Sequence, residues 1–305
     1  MSQPKIAVEP KSGRFASLEA AVQAGGGVVV PPEEAEALVW ADPYKARQVP
    51  EVLAAAPSVR WVALPYAGIE PYVRYLDHER TWTCARAVYA RPVAEHVLAL
   101  GLAGLRNVVG YAKATSWGPQ VGTNLLDGKV TIFGAGGITS ELVKLLAPFN
   151  TEITVVRRQS EPMAGVARTL PLEQRVEAIQ GADLVVLALA LTPQTAKVIS
   201  TPELDAMGAH TWLVNVARGG HVDNDALVAA LKAGSIGGAC LDVTDPEPLP
   251  DEHPLWEFPN VAITPHVGNT PEMGVPLLAG HIRTNVARFA AGEPLDGVID
   301  PDAGY

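Results

Sequence analysis

Three side chains with complementary chemistry follow predicted β-strands in the second half of the chain. Arg218 comes after the apolar run WLVNV, Glu247 after GGACLDV and His266 after VAIT. Ligands of an open parallel sheet bind beyond the carboxyl ends of its strands, so polar residues at these positions are candidates for function. A guanidinium anchors a carboxylate, an imidazole carries a proton, and a carboxylate orients that imidazole.

Each of the three residues also has an interpretation without catalysis. Arg218 in a glycine-flanked loop is compatible with a surface ion pair, and Glu247 in a proline-rich loop with a solvated carboxylate. The other histidines fall on helix faces, in loops or near element ends, where structural roles are usual: His78, His96, His210, His221, His253 and His281. Because a cation, a carboxylate and an imidazole all fall on one edge of the predicted sheet, a shared functional site is favoured over three unrelated structural roles.

A glycine motif, VTIFGAGGIT (130–139), predicts a strand, a tight turn and a helix. Gly134 would form the turn, and Gly136 would let the backbone approach the pyrophosphate of a dinucleotide. Thr139 replaces the third glycine, which costs some closeness between helix and strand, although its hydroxyl is able to donate to a phosphate. The motif predicts a dinucleotide cofactor.

Arg157 and Arg158 stand where such a fold usually carries a ribose-binding acid, Arg157 lying 23 residues after Gly134. An aspartate there would accept from the ribose 2′-hydroxyl and repel a 2′-phosphate, whereas arginines donate to that phosphate. The pair predicts a preference for NADP(H), with NAD(H) not excluded. The alternative is that the arginines close a surface strand or stack on adenine.

Short β-branched strands alternate with longer helical patterns around these residues, as in parallel sheets covered by helices. Strands of the second half are predicted at 130–133, 152–156, 184–189, 212–216, 237–243 and 261–264. Helices there are predicted at 138–149, 171–179, 201–207 and 223–233. The first hundred residues repeat the pattern without a glycine fingerprint, with strands at 6–8, 28–30, 37–40, 61–64 and 81–84. Long helices at 91–112 and about 271–291 connect the halves.

The predicted fold class is α/β, with two Rossmann-like lobes of doubly wound parallel sheet joined by two crossing helices. A chain of 305 residues is long enough for two domains. We expect residues 1–95 and 285–305 to form a flavodoxin-like substrate domain, and residues 96–284 to form the dinucleotide-binding domain.

Composition limits the partners. The chain has 23 Lys and Arg against 33 Asp and Glu, a formal charge of −10, which argues against nucleic acid or an anionic membrane as the main partner. Its apolar runs are too short to span a bilayer, and MSQPKIAVEP lacks the features of a signal peptide, so a cytoplasmic protein is expected. We expect Cys84 and Cys240 to be buried, reduced thiols, and we expect no metal site.

From about residue 60 to its end the chain resembles the D-isomer-specific 2-hydroxyacid dehydrogenases, which include glyoxylate/hydroxypyruvate reductases and phosphoglycerate dehydrogenases. The matching segments are PYAGIE (65–70), 91–100, 130–138, 189–200, 215–250 and 260–269. The long segment 215–250 is the most specific. The spacings of 29 residues from Arg218 to Glu247 and 19 from Glu247 to His266 fall within that family's range.

The resemblance implies that Arg218 binds substrate, that Glu247 pairs with His266, and that His266 is the acid/base. The reaction would be hydride transfer between a nicotinamide cofactor and C2 of a small 2-keto or 2-hydroxy acid. The implied substrate-binding residues are Tyr66, Ala67, Gly68, Arg218 and His266. The implied cofactor-binding residues are Gly134, Gly136, Gly137, Ile138, Thr139, Arg157, Arg158, Leu189, Ala190, Val216, Ala217, Asp242, His266 and Gly268.

Two other functions stay open on the same scaffold. One is a related dehydrogenase that acts on 3-phosphoglycerate, formate or phosphite, although PYAGIE offers no basic cluster for a phosphate. The other is a non-catalytic NAD(P)-binding sensor or corepressor, against which the complete Arg218, Glu247 and His266 set argues.

The resemblance further implies a homodimer, with a dimer arm at 114–125 and Trp117 as an apolar anchor. The alternative is that Trp117 packs under a loop of its own lobe.

Overall fold

Two units, each built on its own parallel sheet, make up the protein in a computed structural model that describes residues 3–11, 17–159 and 161–302. Unit 1 contains residues 1–89 and 270–305, and unit 2 contains residues 90–269. The strands in chain order are β1 (Lys5–Glu9), β2 (Val28–Val29), β3 (Ala37–Trp40), β4 (Trp61–Ala63), β5 (Thr81–Thr83), β6 (Lys129–Phe133), β7 (Glu152–Val156), β8 (Arg168–Leu170), β9 (Leu184–Leu187), β10 (Trp212–Asn215), β11 (Gly238–Leu241) and β12 (Val261–Ile263).

The α-helices cover these strands. In chain order they are α1 (Leu18–Ala24), α2 (Val49–Ala55), α3 (Ala90–Leu105), α4 (Val108–Lys113), α5 (Gly137–Leu146), α6 (Arg175–Ile179), α7 (Thr201–Ala206), α8 (Asn224–Ala233) and α9 (Pro271–Ala291). The single helix predicted at 91–112 is wrong, because the chain forms α3 and α4 with a break at Asn107. Asn107 has φ of 52°, a left-handed conformation that asparagine tolerates better than most residues and that ends a helix.

Unit 1 has strand order β2-β1-β3-β4-β5, with every pair parallel. Its core includes Trp40 and Trp82, both buried. In unit 2 the order is β12-β11-β10-β9-β6-β7-β8, again all parallel. The predicted α/β class with two Rossmann-like parallel sheets is therefore confirmed.

The central strands of unit 2 are buried on both faces. Along β9, Leu184 and Val186 join one apolar cluster while Val185 and Leu187 join the other, as the alternation of side chains in a strand requires. Burying one such side chain contributes about 1.5–3 kcal/mol, which explains why these strands are continuous apolar runs in the sequence. These two apolar clusters, one on each face of the sheet, pack against the strands and fix the positions of their carboxyl ends.

The two crossings between the units fall at the starts of helices. The chain passes from unit 1 to unit 2 between residues 89 and 90, and returns between 269 and 270. The boundaries expected from sequence, 95/96 and 284/285, lie inside α3 and α9, because each of these helices packs as a whole within one unit. Cys84 and Cys240 are free and buried, as expected. None of the helices in the described residues is both long enough and apolar enough to cross a membrane.

Candidate active site

The strand order of unit 2 brings the predicted site residues to one edge of its sheet. At the carboxyl ends, Leu241 pairs with Ile263 on one side and with Asn215 on the other, and Asn215 pairs with Leu187. Leu187 in turn pairs with Phe133, next to the glycine turn. The loops after β12, β11, β10, β9, β6 and β7 therefore leave from a single row.

His266 and Glu247 form a direct pair. Nδ1 of His266 lies 2.7 Å from Oε1 of Glu247, and both side chains are about half exposed, at 52% and 45%. A carboxylate at Nδ1 accepts that N–H, which fixes the ring orientation and leaves Nε2 to exchange a proton with a ligand. The pairing implied by the resemblance has the geometry of an oriented general acid/base.

The loop that carries His266 is held by Asp242, the residue that follows β11. The His266 N–H donates to the Asp242 backbone carbonyl (2.9 Å), and the N–H groups of Val267 and Gly268 donate to its two carboxylate oxygens, both at 2.9 Å. Burial alone would raise the pKa of Asp242. Hydrogen bonds from His96, Thr264 and these two amides outweigh burial and hold that pKa below its usual range. Asp242 is thus a carboxylate whose two oxygens both accept hydrogen bonds from the protein.

Arg218 lies on a turn fixed by two buried polar residues that the sequence analysis did not single out. The Asn215 amide donates to the Arg218 carbonyl (2.9 Å) and accepts from the Ala217 N–H (3.0 Å). The Arg218 backbone N–H donates to His221 Nδ1 at 3.2 Å. A Cβ on Gly219 would overlap the Thr244 backbone, so the turn requires glycine there. One signal was present in the sequence, since Asn215 is a polar residue inside an otherwise apolar strand.

His221 is held in its neutral form. Burial lowers its pKa, while backbone hydrogen bonds at Ala190 and Arg218 act in the opposite direction without cancelling that effect. The ring is therefore suited to capping the turn after β10, where its Nδ1 meets the Arg218 backbone, and unsuited to carrying charge. This position in a GGH turn gave no indication of that role in the sequence.

The glycine turn after β6 lies at the switch point of the sheet, where β6 has β7 on one side and β9 on the other. Gly134 has φ of 103°, and a Cβ there would overlap the Ala188 carbonyl, so only glycine fits. A Cβ on Gly136 would enter open space at the amino end of α5, where the first-turn N–H groups favour an anion. These residues fit the pyrophosphate of a dinucleotide.

Thr139 does not fit the expectation that its hydroxyl donates to a phosphate. Its side chain is fully buried, and its hydroxyl donates to the Gly134 carbonyl at 2.9 Å. A hydroxyl whose proton is given to a carbonyl inside the protein is not available to donate to a phosphate, which corrects that expectation. Thr139 instead ties the start of α5 to the glycine turn.

Arg157 and Arg158 follow β7, beside the glycine turn, because Phe133 of β6 pairs with Val156 of β7. The Arg157 side chain is 27% exposed, and its Nη2 lies 3.9 Å from Oε2 of the exposed Glu161. Arg158 is exposed. The remaining predicted cofactor residues also lie at this edge. Gly137 and Ile138 begin α5, Leu189 and Ala190 follow β9, and Val216 and Ala217 follow β10.

In unit 1, the predicted substrate residues Tyr66, Ala67 and Gly68 follow β4 in a short loop. Tyr89 supports this loop, because its hydroxyl donates to the Pro65 carbonyl at 2.6 Å and its ring meets the Tyr66 ring edge-on at 5.9 Å. The sequence gave no signal for Tyr89. Within the described part of the chain there is no cluster of three His, Cys, Asp or Glu residues arranged to hold a metal ion.

A glycine turn at the switch point of a doubly wound sheet, with a histidine–carboxylate pair on the same edge, defines a nicotinamide-dependent oxidoreductase. Residues 98–268, more than half of the chain, match the family model described as D-isomer specific 2-hydroxyacid dehydrogenase, NAD binding domain. The chain belongs to the D-isomer-specific 2-hydroxyacid dehydrogenases, a family of NAD(P)-dependent oxidoreductases.

Individual proteins and a solved structure are similar to this chain over different lengths. A Corynebacterium melassecola protein, named only as uncharacterized in the proB 3′ region, is 39% identical over 81% of this chain and 84% of its own length. Glyoxylate/hydroxypyruvate reductase A from Klebsiella pneumoniae (strain 342) is 33% identical over 63% of this chain and 61% of its own length. The crystal structure of a D-isomer specific 2-hydroxyacid dehydrogenase from Xanthobacter autotrophicus Py2, in complex with NADPH and MES, has a TM-score of 0.84 at 26% identity and covers all of both chains.

Proposed function

We propose that this chain is an NADPH-preferring reductase of small 2-keto acids such as glyoxylate and hydroxypyruvate. The observation that carries the proposal is the 2.7 Å contact between His266 Nδ1 and Glu247 Oε1, on the sheet edge that also bears Arg218 and the glycine turn. Similarity to glyoxylate/hydroxypyruvate reductase A supports the substrate class. The arginine pair after β7 and the NADPH complex of the Xanthobacter relative support the cofactor.

The proposed mechanism assigns one task to each residue. A bound nicotinamide cofactor supplies the hydride that reduces C2 of the keto acid. Arg218 binds the substrate carboxylate and stabilises negative charge on the carbonyl oxygen. His266 gives a proton from Nε2 to the same oxygen, so that keto acid, hydride and proton yield the 2-hydroxy acid. Glu247 keeps the His266 ring in the orientation that this transfer needs.

The decisive experiment is a panel of 2-keto acids assayed with both reduced cofactors. Glyoxylate, hydroxypyruvate, pyruvate and longer or branched acids should be compared by kcat/KM, and we expect the two small acids with NADPH to be highest. Reduction of the branched acids alone would refute the substrate class. Tight NADPH binding without turnover of any acid would instead support a sensor or corepressor.

We also propose a homodimer in which the segment 114–125 of one copy packs on the other. Trp117 in this segment is 95% exposed, so it does not pack under a loop of its own lobe, and Val121 and Leu126 nearby are also exposed. Clustered exposed apolar side chains of this kind are typical of interfaces. Sedimentation should give twice the chain mass of 32.1 kDa, and Trp117→Ser should shift the equilibrium toward the single chain. A single-chain species that stays the same at every concentration would refute the dimer.

A further inference from the structure

His96 on α3 touches the carboxylate that holds the His266 loop. Its Nε2 lies 3.2 Å from Oδ1 of Asp242 and 3.2 Å from Oγ1 of Thr264, and its side chain is only 20% exposed. The Thr264 hydroxyl itself donates to Asp242 Oδ1 at 2.5 Å. His96 Nε2 therefore carries a hydrogen that points at Asp242 Oδ1 and Thr264 Oγ1. In the described part of the chain, the hydrogen bond and ion pair between Glu247 and His266 do not include His96.

The loop beyond Asp242 depends on where that carboxylate points. Three successive N–H groups, those of His266, Val267 and Gly268, donate to the Asp242 carbonyl, Oδ1 and Oδ2 in turn. His266 has φ of 53°, a left-handed conformation that persists only where surrounding contacts hold it. A change in the Asp242 side-chain rotamer would release two of these three N–H contacts, those of Val267 and Gly268.

His96 is the contact that ties this carboxylate to a separate element. Thr264 lies two residues before His266 in the same segment, whereas His96 sits on α3, which packs against the sheet in the core. The His96 ring also faces Gly268 directly, because a Cβ built on Gly268 would lie 3.0 Å from Asp242 Oδ2 and 3.6 Å from His96 Cδ2. The loop is thus enclosed between Asp242 and α3.

We propose that His96 is a positioning residue for the reaction: through Asp242 it sets the placement of the His266 ring, without itself exchanging protons with substrate. The inference rests on the proposed function only for its catalytic consequence. Without His96, the donors left to the Asp242 carboxylate are those of Thr264, Val267 and Gly268, which all belong to the segment that carries His266. Loss of the His96 contact should therefore loosen the His266 loop even when no ligand is bound.

The test compares His96→Leu, which removes the donor, with His96→Gln, whose amide nitrogen replaces Nε2. His210→Leu is the matched control, since His210 forms a similar contact with Asp183 (3.7 Å) at the opposite edge of the sheet, before β10. Hydrogen–deuterium exchange of the peptide containing Val267 and Gly268 is measured in the full chain, with and without NADPH. We expect exchange about tenfold faster in His96→Leu and within about threefold of the unmodified chain in the other two variants.

Kinetics supply the second measurement. On the best 2-keto acid, His96→Leu should lower kcat about tenfold through misplacement of the acid/base, with the NADPH dissociation constant within about twofold. His96→Gln should keep most of the kcat of the unmodified chain. If the leucine and glutamine variants melt at similar temperatures, a difference in kcat between them cannot come from a loss of stability.

Three results would overturn the inference. They are unchanged exchange and kcat in His96→Leu, equal losses in the leucine and glutamine variants, and a rise in the NADPH dissociation constant that matches the fall in kcat. If the unmodified chain reduces no 2-keto acid, the proposed function fails, while the exchange measurement still decides whether His96 holds the loop.

Discussion

Replacing Arg157 by aspartate tests the cofactor proposal at the residue that carries it. The guanidinium lies beyond β7, beside the glycine turn, and is 27% exposed, so its interactions are only partly screened by water. A hydrogen bond to a charged group contributes about 1.5–3 kcal/mol, which corresponds to about 10- to 150-fold in affinity. The aspartate would also repel a 2′-phosphate and accept from a bare ribose hydroxyl.

The neighbouring Glu161 does not cancel this effect. Its carboxylate is 3.9 Å from Arg157 Nη2 and is 70% exposed, and exposed ion pairs of this kind contribute about 0–1 kcal/mol. A 2′-phosphate carries about 1.5 to 2 negative charges at neutral pH and would therefore displace it. Arg157→Asp should lower kcat/KM for NADPH about 10- to 150-fold and raise it for NADH, mainly through KM.

The assay is kcat/KM for both reduced cofactors on the same keto acid, in the unmodified chain and in the variant. Arg168→Asp is the matched control, because it makes the same change of charge on β8, at the amino end of its strand, away from the glycine turn. The reasoning is refuted if the unmodified chain uses NADH at least as well as NADPH. It is equally refuted if the control shifts the cofactor ratio as far as Arg157→Asp does.

Three further outcomes follow from the site and the core. His266→Ala should lower kcat about 10²- to 10⁴-fold while NADPH binding, measured by fluorescence titration, stays near normal, and Glu247→Gln should lower kcat by less. Burial lowers the pKa of His221 from its ordinary value of 6.5, so as pH falls the unfolded chain protonates this ring before the folded chain does. The free energy of unfolding should therefore fall as pH drops below about 6.5, and the accompanying fall in Tm should be smaller in His221→Gln. Burial raises the pKa of the Cys240 thiol to about 12, so a thiol reagent should label it only after denaturation.

The sequence predicted the strands of unit 2 well because both faces of that sheet are buried. Runs such as EITVV (152–156) are short and rich in β-branched residues, which favours a strand over a helix, and β7 has these bounds. It failed where one residue overrides a periodic pattern, as at Asn107, whose left-handed conformation divides a helix that hydrophobic spacing alone would continue. It also missed β8, which has three residues and carries too little pattern to recognise.

The chemistry of the site was predictable only as far as strand ends indicate it. Arg218, Glu247 and His266 were proposed as site residues because each lies in the loop after a predicted strand, and Gly134 because its motif is local. His96 and Tyr89 were not found, because what gives each its role is a contact with a distant residue. His96 meets Thr264 across 168 positions of the chain, and no local spacing encodes such a contact.

The residue type at position 242 follows from the same network. Oδ1 accepts from His96, Thr264 and the Val267 N–H, and Oδ2 accepts from the Gly268 N–H, so both oxygens face donors. An asparagine keeps one acceptor and turns the other atom into a donor, which would oppose either a backbone N–H or the His96–Thr264 pair. Backbone amides cannot be changed by substitution, so only an ionised carboxylate satisfies the loop that carries His266. The pKa of Asp242, lowered against the effect of burial, is the electrostatic consequence of that requirement.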